Sequence, residues 1–149
     1  VTVVVFFGIV PVTFTCYLQT GGWEELPILL TTSVAIGLLA ANVLIVNNYR
    51  DMEDDEAVGK RTTVVLFGRK VMGYVYLLSG IAAMTIMTAL WIQLPVYSLI
   101  VPFIYLSLHI ATWHKLIHSR GAALNPLLGR TAINLFIFTI LLLVVLAVV

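Results

Sequence analysis

Between Val71 and His114 the chain runs 44 residues without an aspartate, glutamate, lysine or arginine. Three other runs are equally free of those residues: Val1–Trp23, Leu26–Tyr49 and Thr131–Val149. A soluble domain has about a quarter of its residues charged. Here the share is 10%, against 61% hydrophobic residues, which is too little polar surface to coat a globule. A helix crosses a bilayer with about 20 mostly apolar residues. The longest run therefore holds two crossings, with a turn at Gln93-Leu94-Pro95. Five spanning helices are predicted, at about 1–19, 26–46, 71–92, 95–114 and 131–149. The expected fold class is all-α, a polytopic transmembrane helix bundle forming one domain over residues 1–149.

The first run lacks the basic n-region and small-residue cleavage site of a signal peptide. Because it starts at Val1 directly in apolar sequence, the chain is expected to be a piece of a longer protein. The single cysteine, Cys16, supports neither a disulfide framework nor a cysteine metal site and is assigned to packing.

The net charge of +1 conceals an asymmetry. The first connection holds Glu24 and Glu25 and the third, at about 93–94, holds no charge. The second, at about 47–70, carries Arg50, Lys60, Arg61, Arg69 and Lys70, and the fourth, at about 115–130, carries Lys115, Arg120 and Arg130. All 8 basic residues thus fall on one side, which the positive-inside rule makes cytoplasmic. Trp23 and Trp91 are expected at the outer interface and Trp113 at the inner one, as an aromatic belt.

The acid is concentrated too: Asp51–Glu56 places five carboxylates in six residues. One aspartate at mid-bilayer costs about 2.5–3.5 kcal/mol on insertion scales, so the cluster belongs at the cytoplasmic end of the second helix. Asn47, Asp51 and Asp55 recur every four residues, and Asn48 lies three before Asp51. On a continuing helix such residues share a face. Carboxylates and amide oxygens there suit Mg²⁺, which takes one or two protein carboxylates and fills its other positions with water and phosphate oxygens. Asp51 and Asp55 are the candidate metal ligands, and Lys60 and Arg61 the candidate phosphate contacts. Glu53, Asp54 and Glu56 are assigned to hydration. Spacing alone leaves a solvated acidic loop open as the alternative. The order of an EF-hand loop is absent, and Gly68-Arg69-Lys70 lacks the frame of a P-loop.

The stretch from Asn47 to Thr62, with Asn47, Asn48, Arg50, Asp51, Asp55, Gly59, Lys60, Arg61 and Thr62 at fixed spacing, resembles the second aspartate-rich motif of the UbiA superfamily of membrane prenyltransferases. The wording is nearest to its 1,4-dihydroxy-2-naphthoate polyprenyltransferases of menaquinone synthesis. Leu124-Asn125-Pro126-Leu127-Leu128 resembles the family more weakly, and Leu66 departs from an arginine common there. The resemblance implies a nine-helix bundle with two facing acidic motifs, of which these five helices correspond to the fifth through ninth. The N-terminal half of the same protein, carrying the first motif, is then an expected partner, and this piece alone is expected to be inactive. Also implied are Mg²⁺ as cofactor and polyprenyl diphosphate and an aromatic acceptor as substrates. The prenyl chain would lie along membrane-embedded helices, in a bacterial cytoplasmic (inner) membrane. On this reading Asp51 and Asp55 hold Mg²⁺, Lys60 and Arg61 take the diphosphate, and Asn47, Asn48 and Arg50 support metal or substrate. Other acceptors, 4-hydroxybenzoate or homogentisate, and a non-catalytic membrane module binding cations or a protein remain the alternatives. No nucleic-acid partner is expected.

Among the remaining polar residues, His109 lies deepest and is a cavity candidate. His114 and His118 are assigned to the interface, there being no evident third zinc ligand. Asn134 is expected to hydrogen-bond between helices, at most one of Tyr74 and Tyr76 to line a cavity, and Gly37, Gly73 and Gly80 to mark close helix packing.

Overall fold

The computed structural model describes residues 1–23 and 26–148. Glu24 and Glu25, the acidic residues of the first connection, lie outside the described residues. The fold is an all-α polytopic bundle with five helices long and apolar enough to span a membrane: Thr2–Thr20, Leu26–Arg50, Thr63–Ile86, Val96–His118 and Gly121–Val148. The second helix is central and packs against the first, third and fifth; the fourth closes a ring by packing between the third and fifth. The first helix lies along the outside of that ring, against the second.

Boundaries differ from the sequence reading in an instructive way. The segment expected as a loop at about 47–70 is largely helical: the second helix runs on to Arg50, a short helix occupies Met52–Ala57, and the third helix begins at Thr63. Charge marks where a helix leaves hydrocarbon, whereas backbone hydrogen bonding decides where it ends. The third helix starts where Thr62 accepts the Val65 N–H on its hydroxyl, an N-cap. One turn later Gly68 (φ 77, ψ 158) breaks it. That conformation is essentially restricted to glycine, so the unbroken part of the helix runs from Arg69. Gly68→Ala is therefore expected to destabilise the protein by about 1–3 kcal/mol, read as a lowered unfolding midpoint in detergent. An unchanged midpoint would refute the strain. In the first helix, the π-helical turn Val5–Ile9 precedes Pro11. Pro11 has no N–H to donate to Phe7 and its ring crowds that carbonyl.

Two apolar clusters fill the bundle. Leu39, Ala83, Met87, Trp91, Val101 and Phe138 belong to the one remote from the acidic motif. Val46, Tyr49, Val64, Tyr76, Leu116 and Leu124 belong to the one beneath it. Trp91 is thus buried in the protein rather than placed in a lipid-facing belt, while Trp23 is exposed and stacks on Tyr17 at 4.6 Å.

Between the clusters lies a polar layer. His109, buried between the stacked rings of Tyr76 and Tyr105, has Nε2 3.0 Å from the Tyr76 carbonyl and Nδ1 3.3 Å from the Tyr105 hydroxyl. Tyr76 reaches Thr131 at 3.2 Å, and Ser79 donates to Asn42 Oδ1 at 2.5 Å. Asn134 Nδ2 donates to Thr112 Oγ1 at 2.9 Å, the expected bond between helices. Interhelical hydrogen bonds in membranes average about 0.6 kcal/mol and reach about 1.7. Asn134→Leu should accordingly lower stability by about 1 kcal/mol in detergent unfolding, and by less in a Thr112→Val background.

Close approaches fall at the expected glycines. A Cβ on Gly37 would meet the Val4 backbone at 2.7 Å, one on Gly73 would meet Ile117 at 3.0 Å, and one on Gly80 would strike the His109 ring. Tyr76 is buried and Tyr74 exposed, so the two do point to different surroundings.

Candidate active site

The alternation of helices brings all 8 basic residues to the end of the bundle that carries the acidic motif. Asp51 (φ −90, ψ 9) ends the second helix and begins the short one. The backbone scarcely loses register there: the Asp51 N–H donates to Asn47 at 3.0 Å and the Asp55 N–H to Asp51 at 2.8 Å. Asn47, Asp51 and Asp55 therefore stand at successive turns. After Ala57 the chain reverses through Gly59 (φ 73), a left-handed turn that favours glycine. The reversal returns Lys60, whose backbone N–H donates to the Asp55 carbonyl at 2.8 Å.

Both candidate carboxylates are held by cations. Arg50 grips Asp51 with two donors, Nε to Oδ1 at 2.6 Å and Nη2 to Oδ2 at 2.8 Å, and Nη2 also reaches Asn47 Oδ1 at 3.1 Å. Lys60 Nζ lies 2.8 Å from Asp55 Oδ1. Asp55 is only 6% exposed, and its other oxygen, Oδ2, is buried without a hydrogen-bond partner among the described residues. A buried unmatched carboxylate oxygen is costly and is where an added cation gains most. Asn48 is buried in the bundle, and Arg61 is exposed on the loop. Of the two candidate phosphate contacts, Lys60 thus lies on Asp55 and Arg61 at the surface.

Glu53, assigned to hydration from sequence, instead pairs with Arg69 across sixteen positions, through Nη1 to Oε1 and Nη2 to Oε2. Arg69 also donates to the Tyr49 carbonyl through Nε and Nη2. It ties the start of the third helix to the end of the second. A lone Arg-Lys pair opening a 44-residue uncharged run was the available signal for it.

The hydrogen bonds from Arg50 and its charge, with that of Lys60, hold the Asp51 carboxyl below its usual 3.8, and the Arg69 hydrogen bond holds Glu53 below 4.5. Both groups ionise more easily folded than unfolded. Their contribution is present above ordinary carboxylate pKa values and is lost as pH falls through the lower folded values. Hydrogen exchange in detergent should therefore show residues 50–70 loosening below about pH 4, with Glu53→Gln reducing the effect. A pH-independent exchange rate down to pH 2 would contradict this.

An apolar cavity of about 480 Å³ opens beside the motif between the first, second and fifth helices. Phe7, Val43, Leu44, Leu128 and Leu135 line it, and Asn47 stands at its acidic end. This groove was not readable from sequence, because it depends on how three distant helices pack. His109 does not line it. The His114 and His118 rings lie 4.4 Å apart at a tilt of 37°, with His118 Nδ1 2.7 Å from the His114 carbonyl. Among the described residues no group of three or more His, Cys, Asp or Glu is gathered as a metal site. Asp51, Asp55 and Asn47 place hard oxygens on the motif, and the carboxylates of Asp54 and Glu56 are exposed beside them.

The sequence profile of the UbiA prenyltransferase family matches residues 1–139. The chain belongs to that family. A multi-pass membrane architecture accords with that membership and with the five apolar helices. Two relatives, both 1,4-dihydroxy-2-naphthoate octaprenyltransferases, are similar over 68 residues: that of Haemophilus influenzae (strain ATCC 51907 / DSM 11121 / KW20 / Rd) at 44% identity and that of Escherichia coli (strain K12) at 43%. Each alignment covers 46% of this chain and 21% of the relative, so the matched stretch is about a fifth of the relatives' length. No solved structure gives a significant match.

Proposed function

We propose that this part of the protein holds the diphosphate of a polyprenyl diphosphate, during prenyl transfer to 1,4-dihydroxy-2-naphthoate with loss of diphosphate and CO₂. The observation that carries the reading is the buried, unpartnered Oδ2 of Asp55, which follows by two helical turns the Asn47 at which an apolar groove ends. A charged head and a long apolar tail need those two surroundings next to each other. The names of both relatives support the acceptor.

The donors fit Mg²⁺: all are hard oxygens, two of them carboxylates, in keeping with that ion's preference for few protein ligands. Asp51 and Asp55 would hold it, and it would supply charge stabilisation to the departing diphosphate. The chain's own cations act with it. Arg50 and Lys60 now neutralise Asp51 and Asp55. On substrate binding they exchange those carboxylates for phosphate oxygens, with Arg50 as a planar fork and Lys60 as a point charge. The motif thus stays near neutral with and without its ligand, so neither state leaves a bare charge at the membrane edge. Arg61, exposed beside Lys60, adds a further phosphate contact. Asn47 orients the head where the groove begins, and Asn48 supports the second helix behind it.

Heterolysis of the allylic C–O bond leaves its electron pair on the diphosphate, and the allylic carbocation alkylates the electron-rich acceptor ring. The groove of Phe7, Val43, Leu128 and Leu135 holds the prenyl chain out of water. A second acidic motif from the same protein completes the site across the cavity, and the acidic end faces the cytoplasm of a bacterial inner membrane.

Membranes containing the protein should release diphosphate from a polyprenyl diphosphate only with Mg²⁺ and the naphthoate acceptor, and cease to do so with chelator. Equal turnover of 4-hydroxybenzoate or homogentisate would overturn the acceptor, and full activity in chelator would overturn the metal.

A further inference from the structure

A second cavity, of about 290 Å³, opens at the same end of the bundle, lined by Tyr49, Lys70, Tyr74, Ile117 and Arg120. Tyr49 lies two residues beyond Asn47, about 200° around the second helix, so this pocket faces away from the apolar groove. It sits between the end of the second helix, the start of the third and the end of the fourth.

Its charge is uncompensated. Lys70 and Arg120 form no ion pair among the described residues. Arg120 Nη1 donates to the carbonyls of Ser119 at 2.7 Å and Ile117 at 3.2 Å, which fixes the guanidinium at the end of the fourth helix. The carboxylate within electrostatic reach of Arg120 is Glu53, and Arg69 already holds that group with two donors. Arg69 also stands 5.4 Å from the centre of the Tyr49 ring that walls the pocket. Arg69 and Arg120 therefore share one carboxylate, and Lys70 adds a third positive charge beside them.

On the membrane side the surroundings change from charged to aromatic to aliphatic. Tyr74 and Trp113 meet with ring centroids 6.2 Å apart. Beyond them Leu78 and Ile81 of the third helix, which follow Tyr74 at helical spacing, and Ile110 of the fourth are exposed. A soluble phosphate has no use for such a strip, whereas a phospholipid needs both parts. We infer that the pocket formed by Lys70, Arg120, Tyr49 and Tyr74 binds the phosphodiester headgroup of an anionic phospholipid, whose acyl chains lie along Leu78, Ile81 and Ile110. Basic pockets between membrane helices take such headgroups, and Tyr and Trp are at home at that depth. The lipid clamps three helix ends beneath the acidic motif without entering the groove.

The protein purified from its membrane and stripped of lipid is titrated with phosphatidylglycerol and, separately, phosphatidylcholine, with adducts counted by native mass spectrometry. One phosphatidylglycerol should be retained in preference to phosphatidylcholine, and millimolar inorganic phosphate should not displace it. Lys70→Gln/Arg120→Gln should weaken retention about 30-fold, while the charge-preserving Lys70→Arg/Arg120→Lys retains it. If the double variant does not fold, Lys70→Gln alone, at an exposed position, should weaken retention about fivefold. Equal retention of the two lipids, displacement by phosphate, or no change in the charge-removing variants would each overturn the assignment.

Discussion

Under the proposed function, Asp55→Ala should lower prenyl transfer by about 10²–10³-fold, the loss expected when a principal electrostatic element is removed from a site that stabilises a leaving anion. The substitution deletes the Oδ1 that Lys60 holds and the buried Oδ2 that has no protein partner. Lys60 is 59% exposed and returns to water at little cost, so the released cation does not unfold the motif. The unfolding midpoint should accordingly change by a few degrees at most, with the loss confined to turnover. Asp55→Asn keeps the shape and should fall nearly as far, since a neutral amide replaces the charge. Asp51→Ala should also abolish transfer, but with a broader structural effect, because Arg50 then loses both contacts to that carboxylate. Near-normal turnover of either alanine variant, measured with saturating Mg²⁺ and polyprenyl diphosphate, would falsify the assignment.

The second large effect is structural. Gly80→Ala places a Cβ against three atoms of the His109 ring. That ring has no free space to yield into: it is 1% exposed, stacked on Tyr76 at 4.5 Å and on Tyr105 at 5.4 Å. Its displacement breaks the contact with the Tyr76 carbonyl and leaves polar atoms unmatched in the bundle interior. We expect a loss of about 1–3 kcal/mol from overpacking, with the Tyr76–His109 stack disrupted. Gly129→Ala is the control. Nothing lies within 4 Å of its added carbon, and it sits inside the fifth helix. There the better helix propensity of alanine should leave stability unchanged or raised by up to about 1 kcal/mol. Equal unfolding midpoints for the two variants would show that the close approach at Gly80 has no energetic weight.

The number of spans and their order were legible because uncharged length is a one-dimensional property that folding does not rearrange. Asp51 and Asp55 were singled out for a related reason: a four-residue spacing survives wherever the chain stays helical, and it does so here with only a bend at Asp51. What escaped were relations between distant segments. Glu53 looked like hydration because its partner, Arg69, lies beyond the turn at Gly59 and the break at Gly68. The pairing of Lys60 with Asp55 escaped too, because it depends on the left-handed turn at Gly59. Trp91 looked like part of an interfacial belt, since composition cannot tell which side of a helix meets protein and which meets lipid. His109 invited a cavity role by its depth in the fourth helix, whereas its neighbours on the third and fourth helices satisfy it.

The polar layer formed by Tyr76, His109, Asn134, Thr112 and Thr131 also acts as a vernier on the bundle. Leucine and valine surfaces in hydrocarbon fit nearly as well after one helix slides a turn past its neighbour, about 5.4 Å. These hydrogen bonds do not, because a slipped helix would expose each donor to lipid with nothing to receive it. Together with the Ser79–Asn42 bond, they index the axial positions of the second, third, fourth and fifth helices deep in the membrane. The height at which Asp51 and Asp55 emerge is thus set far from the motif, by bonds that touch no substrate.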